Sequence, residues 1–199
     1  MGKIIGLTGG IGSGKSVVSQ YLENLGYPIV DADLVAREVV EPQSEGLEGL
    51  VRIFGQGILT EAGELNRQVL GKLIFNDEEK RLMVNHLLHP LIERVIAKRL
   101  EELKEKQKIT FLVVPLFFEA GYMKYVDAVW YINASQALRE KRVRERDKID
   151  STYAKRKIGS QLTLEEIQKK YQVIVIDNEG SIDDLKGKID RLLVFYLEK

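Results

Sequence analysis

Eight residues near the start of the chain, Gly9 to Ser16 (GGIGSGKS), constrain it more than any other stretch. They fit the spacing G-x-x-x-x-G-K-[ST] in full, and their surroundings fit too. The apolar run Lys3–Thr8 (KIIGLT) precedes them. Over Ser16–Leu25, Val17, Val18, Tyr21, Leu22 and Leu25 fall on one helical face, and Gly26 follows as a stop. Strand, glycine loop and helix in that order make a cradle for a triphosphate. Glycines reach backbone angles closed to other residues, so consecutive N–H groups turn inward around phosphate oxygens. The helix starting near Lys15 adds the positive end of its dipole. Gly10, Ile11, Gly12, Ser13, Gly14, Lys15, Ser16 and Val17 are therefore the candidate nucleotide-binding residues. Lys15 reaches the β- and γ-phosphates and the Ser16 hydroxyl is placed to ligate Mg²⁺. A flexible turn would explain the glycines but not the Gly-Lys-Ser ending. The ligands this predicts are a nucleoside triphosphate and Mg²⁺.

The rest of the chain supplies the sheet such a loop needs. Four further segments are almost continuously apolar: Pro28–Ala32, Ile109–Pro115, Val126–Asn133 and Val173–Asp177. Runs of that kind suit strands covered on both faces, and alternation with helical patterns implies βαβ units and a parallel sheet. The predicted fold is α/β: a three-layer phosphate-loop (P-loop) NTPase/kinase fold with a five-stranded parallel sheet in the order 2-3-1-4-5. The connection from residue 33 to 108 is far too long for one crossover. Helical spacing appears over Gly46–Phe54, over Asn66–Phe75 with Asn66 as N-cap, over Asp77–Leu88, and from Pro90 to about Lys106. One domain is expected over residues 1–199, with a helical insertion at about 60–108 and a lid at about 137–160.

Composition removes several classes. The 199 residues carry 30 basic and 30 acidic side chains, so a general nucleic-acid binder is not expected. With no cysteine and two histidines, a disulfide framework and a structural zinc site are excluded. No long uncharged apolar run and no signal-peptide core is present, so a cytoplasmic protein without a membrane span is expected, with no obligate protein partner in evidence.

The loop alone does not choose between a switch and a catalyst. Asp177–Gly180 (DNEG) matches D-x-x-G, but it follows the last strand and no N-K-x-D exists, so a GTPase is rejected. The second strand ends in Asp31-Ala32-Asp33 (DAD). If the strand persists, both carboxylates point the same way at its carboxyl end, where open α/β sheets bind ligands. One would accept a hydroxyl proton and the other would hold Mg²⁺. Alternatively, Asp33 caps the helix that begins there. Residues 139–157 hold nine basic residues against four acidic ones, and Arg139, Arg142 and Arg146 share one helix face. That stretch is either a lid closing over the triphosphate or a solvated basic face. Arg142 and Arg146, ahead of Arg144, are the expected nucleotide contacts.

Taken together, LTGGIGSGKS (7–16), DADLVAREVVEP (31–42), LNRQVLGKLIFND (65–77), HPLI (89–92), VVPLFFE (113–119), REKRVRERD (139–147), Gln161 and IDNEG (176–180) resemble the dephospho-CoA kinase family through most of the chain. The resemblance implies ATP-dependent phosphorylation of the ribose 3′-hydroxyl of dephospho-CoA, in a nucleotide core with a helical CoA-binding part and a lid. It places the catalytic base on Asp33, joined by Lys15 and Arg142 as catalytic residues, and makes His89 a substrate-side contact. Mg²⁺ would rest on Ser16, phosphate oxygens and water, with Asp31 as the expected carboxylate, because Val113 stands where some relatives carry an acidic residue. Arg67 is a candidate for a substrate phosphate or a surface salt bridge. Glu119 either orients the substrate or anchors the following loop, and the Leu116, Phe117 and Phe118 side chains before it read as core or pocket wall. Asn178 and Gly180 either border the adenine or form a turn. Two other readings carry less. One is another small-metabolite or nucleoside monophosphate kinase; shikimate-kinase-like proteins also place a D-x-D after the second strand but lack the long insertion. The other, a non-catalytic ATP-binding regulator, would not need Asp33.

Overall fold

In the computed structural model, residues 2–75 and 77–198 are described. By internal contacts the chain falls into two compact units. One is built from the segments up to Val30 and from Leu100 onward, the other from Asp31–Arg99.

The first unit holds the sheet. Strands β1 (Lys3–Gly9), β2 (Ile29–Asp31), β3 (Ile109–Val113), β4 (Ala128–Asn133) and β5 (Ile174–Asp177) line up as β2-β3-β1-β4-β5, the predicted order. The register pairs Lys3 with Ile109 and Leu7 with Val113 on one side of β1, and Ile5 with Ala128 and Gly9 with Ile132 on the other. Trp130 faces Ile174 and Asn133 faces Asp177 across β4 and β5. Helices α1 (Lys15–Asn24) and α9 (Ile182–Leu197) cover one face. Val18 and Leu22 of α1, and Leu185, Ile189 and Leu193 of α9, pack with Ile5, Leu7, Phe111, Trp130, Ile132 and Ile176. Each such side chain contributes about 1.5–3 kcal/mol when fully buried, and this is what fixes β1 and α1 on either side of the glycine loop. Ser181 starts α9 with a reciprocal cap, its hydroxyl accepting from the Asp184 N–H at 3.1 Å.

The second unit is helical. Its elements are α2 (Ala32–Glu38), α3 (Glu45–Phe54), α4 (Arg67–Phe75) and most of α5 (Glu78–Lys106), with a 3₁₀ turn over Gln56–Ile58. Ser44 caps α3 by accepting from the Leu47 N–H at 3.2 Å, and Asn66 Oδ1 accepts from the Val69 N–H at 3.1 Å, the N-cap expected of it. Ion pairs Arg94–Glu45 and Arg99–Glu38 bind α5 to α3 and α2.

Two expectations are corrected. Asp77–Leu88 and Pro90–Lys106 are one continuous helix with Pro90 inside it. Pro90 removes one backbone bond, a cost of about 3 kcal/mol relative to alanine. Val84 and Leu91 are buried on either side of it, with Ile96 a turn further on, and together they outweigh that cost. The second strand also stops at Asp31 rather than Ala32, with α2 beginning at once.

Candidate active site

Within the first unit, β1 ends at Gly9 and α1 begins at Lys15, so the glycine loop bridges two elements that are both fixed in the core. Gly14 is the N-cap of α1, with φ +101°, and no side chain caps the helix. Nor is there an acidic residue in its first turn, so that turn brings no anion of its own to the positive end of α1. A Cβ on Gly14 would collide with the Asn178 amide. The glycine is thus required both by its backbone angle and by what lies against it. Ser16 and Val17, in the first turn, are exposed.

Side chains from distant parts of the chain hold the loop. Arg139, in helix α6 (Gln136–Asp147), donates from Nε to the Ile11 carbonyl at 2.9 Å. Arg142 of the same helix donates to the Gly12 and Ser13 carbonyls, each at 3.3 Å, and to the Asn178 carbonyl at 3.3 Å. The buried Asn178 donates from Nδ2 to the Ser13 carbonyl at 2.7 Å. The Ile11 N–H donates to Gln161 Oε1 at 2.7 Å. Inside the loop the Ser13 N–H donates to the Gly10 carbonyl at 3.0 Å. Burial pulls the Arg139 guanidinium below the usual arginine range, with the neighbouring Tyr131 phenol acting against it. Burial likewise pushes the Tyr131 phenol up.

Arg142 therefore lies against the loop carbonyls, whereas Arg146 does not. Arg146 donates to Asp147 at 2.7 and 3.2 Å, and Lys157, from α7 (Ser151–Gly159), donates to the same carboxylate at 3.0 Å. These two cations hold the Asp147 carboxyl well below the usual carboxylate range. Arg144 is exposed. The arginine-rich stretch is two helices, the second capped by Asp150 accepting from the Tyr153 N–H at 2.8 Å.

Two residues on the loop were not singled out as contacts by sequence reasoning. Arg139 was visible only as a member of the Arg142 face, three residues before it. Gln161 stood among the matched positions without an assigned partner. Asn178 does more than form a turn: its side chain is part of the loop's support, and its own N–H donates to the Asn133 carbonyl at 2.8 Å. Gly180 lies immediately before the Ser181 cap. Glu119 lies beyond the end of β3, which stops at Val113; its Oε1 accepts from the Leu162 N–H at 3.4 Å.

The remaining candidates belong to the second unit. Asp31 is the N-cap of α2, its Oδ1 accepting from the Asp33 N–H at 2.8 Å and the Leu34 N–H at 3.4 Å. The two carboxylates thus do not alternate along a strand, and the cap expected of Asp33 belongs to Asp31. Asp33 lies in the first turn of α2 with an exposed side chain. Arg67 opens α4 and is exposed, and the exposed His89 lies within α5 rather than at a helix entry.

A G-x-x-x-x-G-K-S loop between the first strand and first helix of a 2-3-1-4-5 parallel sheet defines a P-loop kinase, a nucleotide-binding transferase. The dephospho-CoA kinase (CoaE) family model matches residues 3–184, and the chain belongs to that family. It is 39% identical over 203 residues to a dephospho-CoA kinase of Staphylococcus aureus, covering 100% of this chain and 97% of the relative. A dephospho-CoA kinase of Shouchella clausii is 42% identical over 180 residues, covering 89% and 90%. Among solved structures, the dephospho-CoA kinase from Campylobacter jejuni superposes with a TM-score of 0.75 at 28% identity, covering 97% of this chain and 96% of that one. None of the described helices is long and apolar enough to cross a membrane.

Proposed function

We propose that the chain transfers the γ-phosphoryl group of ATP to the ribose 3′-hydroxyl of dephospho-CoA, giving CoA and ADP. The observation that carries this is a phosphate loop set at an uncapped helix start and braced by Arg142, in a chain that matches one kinase family along its length. The hydroxyl oxygen attacks the γ-phosphorus in line, the bond to the β,γ-bridging oxygen breaks, and the hydroxyl proton passes to Asp33. A secondary hydroxyl is a poor nucleophile, so a carboxylate within hydrogen-bond reach lowers the barrier. In the second unit, the Asp31 cap leaves the Asp33 carboxylate clear of the capping bonds. Lys15 and the loop amides hold the β- and γ-phosphates, and Arg142 brings positive charge to the loop. Arg67, His89 and Glu119 remain the acceptor-side residues of this reading.

The donors available suit Mg²⁺ as a guest of the nucleotide. Among the described residues no group of three or more His, Cys, Asp or Glu side chains forms a metal cage. Mg²⁺ seldom needs one, keeping several waters and binding through substrate phosphates. The exposed Ser16 hydroxyl and Asp31 Oδ2, which makes none of the capping bonds, are the protein ligands we assign. When bound, the ion neutralises charge on the β- and γ-phosphates.

The deciding experiment is a phosphotransfer assay with ATP against dephospho-CoA, adenosine and shikimate, scoring CoA and ADP formation. Transfer to dephospho-CoA in preference to the others is expected. Transfer to another acceptor but not to dephospho-CoA would overturn the proposal.

A further inference from the structure

Three consecutive peptide groups of the glycine loop have their carbonyls engaged by donors from outside it. The Ile11 carbonyl takes Arg139 Nε, the Gly12 carbonyl takes Arg142, and the Ser13 carbonyl takes both Arg142 and Asn178. A carbonyl and the next residue's N–H belong to one planar unit and point opposite ways when the bond is trans. No cis peptide bond occurs among the described residues. Each donor that draws a carbonyl outward therefore fixes an N–H pointing the other way. A hydrogen bond at the oxygen also polarises the N–H of the same group. The Ser13 N–H is spent inside the loop on the Gly10 carbonyl. That leaves the Gly12 and Gly14 N–H groups as the ones these donors set.

Gly14 is set twice over, by Arg142 and Asn178. Gly12 is set by Arg139, through the Ile11 carbonyl. The Arg139 guanidinium lies so close to the loop that a Cβ on Gly10 would meet it.

We propose that Arg139 is a positioning residue for the donor nucleotide. It acts through the Ile11–Gly12 peptide, holding the Gly12 N–H toward the phosphate seat and strengthening it as a donor, without itself touching phosphate. This rests on the loop being the seat of the triphosphate, as proposed above, and does not depend on the acceptor. The effect belongs to whichever phosphates the loop amides hold, the β-phosphate first among them.

The test is nucleotide binding without acceptor, measured by competition against a fluorescent ATP analogue for AMP, ADP and ATP. In Arg139→Gln, ADP and ATP are expected to weaken alike, by about tenfold, the scale of one charge-assisted hydrogen bond. AMP, which has no β-phosphate, is expected to stay within about twofold of the native chain on the same reasoning. Arg139→Lys keeps the charge and is expected to recover most of the loss. Loss of ATP affinity with ADP unchanged would mean that Arg139 touches the γ-phosphate. Equal loss for all three nucleotides, with a lower Tm, would mean a role confined to folding. Either result, or no change at all, overturns the proposal. Failure of the native chain to bind ATP would instead overturn the nucleotide reading on which it stands. Transfer to an acceptor other than dephospho-CoA would leave the inference intact.

Discussion

The phosphate loop and the Asp31-Ala32-Asp33 segment are both short stretches that follow a strand and open a helix, yet they are held in different ways. The loop's supports come from far away in sequence: Gln161 is 150 residues from Ile11, Arg139 is 128 from it, and Asn178 is 165 from Ser13. The Asp31 segment holds itself, through an Asp31 carboxylate bonded to N–H groups two and three residues on. A loop braced from outside has its backbone set by the whole first unit, so damage to its supports spreads. A self-capped turn confines damage to its own helix. The loop also needs its amides placed against a ligand, whereas Asp33 needs only a carboxylate that is not consumed by the cap.

The largest effect expected is on the self-capped side. Asp33→Asn keeps the shape of the side chain and removes its basicity. We expect kcat to fall by about two orders of magnitude or more, the usual scale of a lost general base, with ATP affinity and Tm unchanged. Near-normal turnover in a steady-state assay would remove the proton-accepting role from Asp33.

On the braced side the largest stability effect is expected from Gly14→Ala. A non-glycine residue at φ +101° costs roughly 1–2 kcal/mol, and the new methyl displaces the Asn178 amide from the Ser13 carbonyl, a further ~1 kcal/mol. For a chain of this length that lowers Tm by about 4–12 °C. Thermal unfolding followed by circular dichroism measures it, and an unchanged Tm would show that Asn178 does not brace the loop.

What could be read in advance follows the same division. The five strands were legible because a strand covered on both faces shows as an apolar run, and the loop was legible because its chemistry demands glycine, lysine and serine at fixed spacing. Arg139 and Gln161 were not, because a sequence shows which residues share a helix face but not what that face meets more than a hundred residues away. In the second unit the error over the two aspartates has a local cause. Alternation along a strand presumes that the strand continues, and Asp31, a strong N-cap, ends it. Pro90 misled for a similar reason: local propensity favoured a helix start, and burial of Val84 and Leu91 on either side carried the helix through.

A smaller effect separates the two duties assigned to Asp31. Asparagine caps a helix about as well as aspartate, while alanine does not. Asp31→Ala should therefore cost about 1 kcal/mol, or roughly 2–4 °C in Tm, and Asp31→Asn almost nothing. If Asp31 also ligates Mg²⁺, Asp31→Asn will raise the Mg²⁺ concentration needed for half-maximal turnover while leaving Tm in place. A Mg²⁺ requirement unchanged in Asp31→Asn would leave the residue as a cap alone.

The smallest effect expected lies where α6 meets α7, beside the braced loop but without a contact to it through Asp147. There Arg146 and Lys157 depress the Asp147 carboxyl far below its ordinary value of 3.8. A group whose folded pKa lies below its unfolded value stabilises the fold fully above the unfolded value, and loses that contribution as pH falls toward the folded one. The native chain should therefore melt slightly higher than Asp147→Asn at neutral pH, and the gap should close on acidification below about pH 4. Added salt should narrow the gap too, because Arg146 is a solvent-exposed partner whose charge is screened. Melting curves that stay parallel from neutral pH down to about pH 3 would show that Asp147 is not ion-paired in solution. Arg146 would then be free to reach the nucleotide, restoring the contact expected of it from sequence.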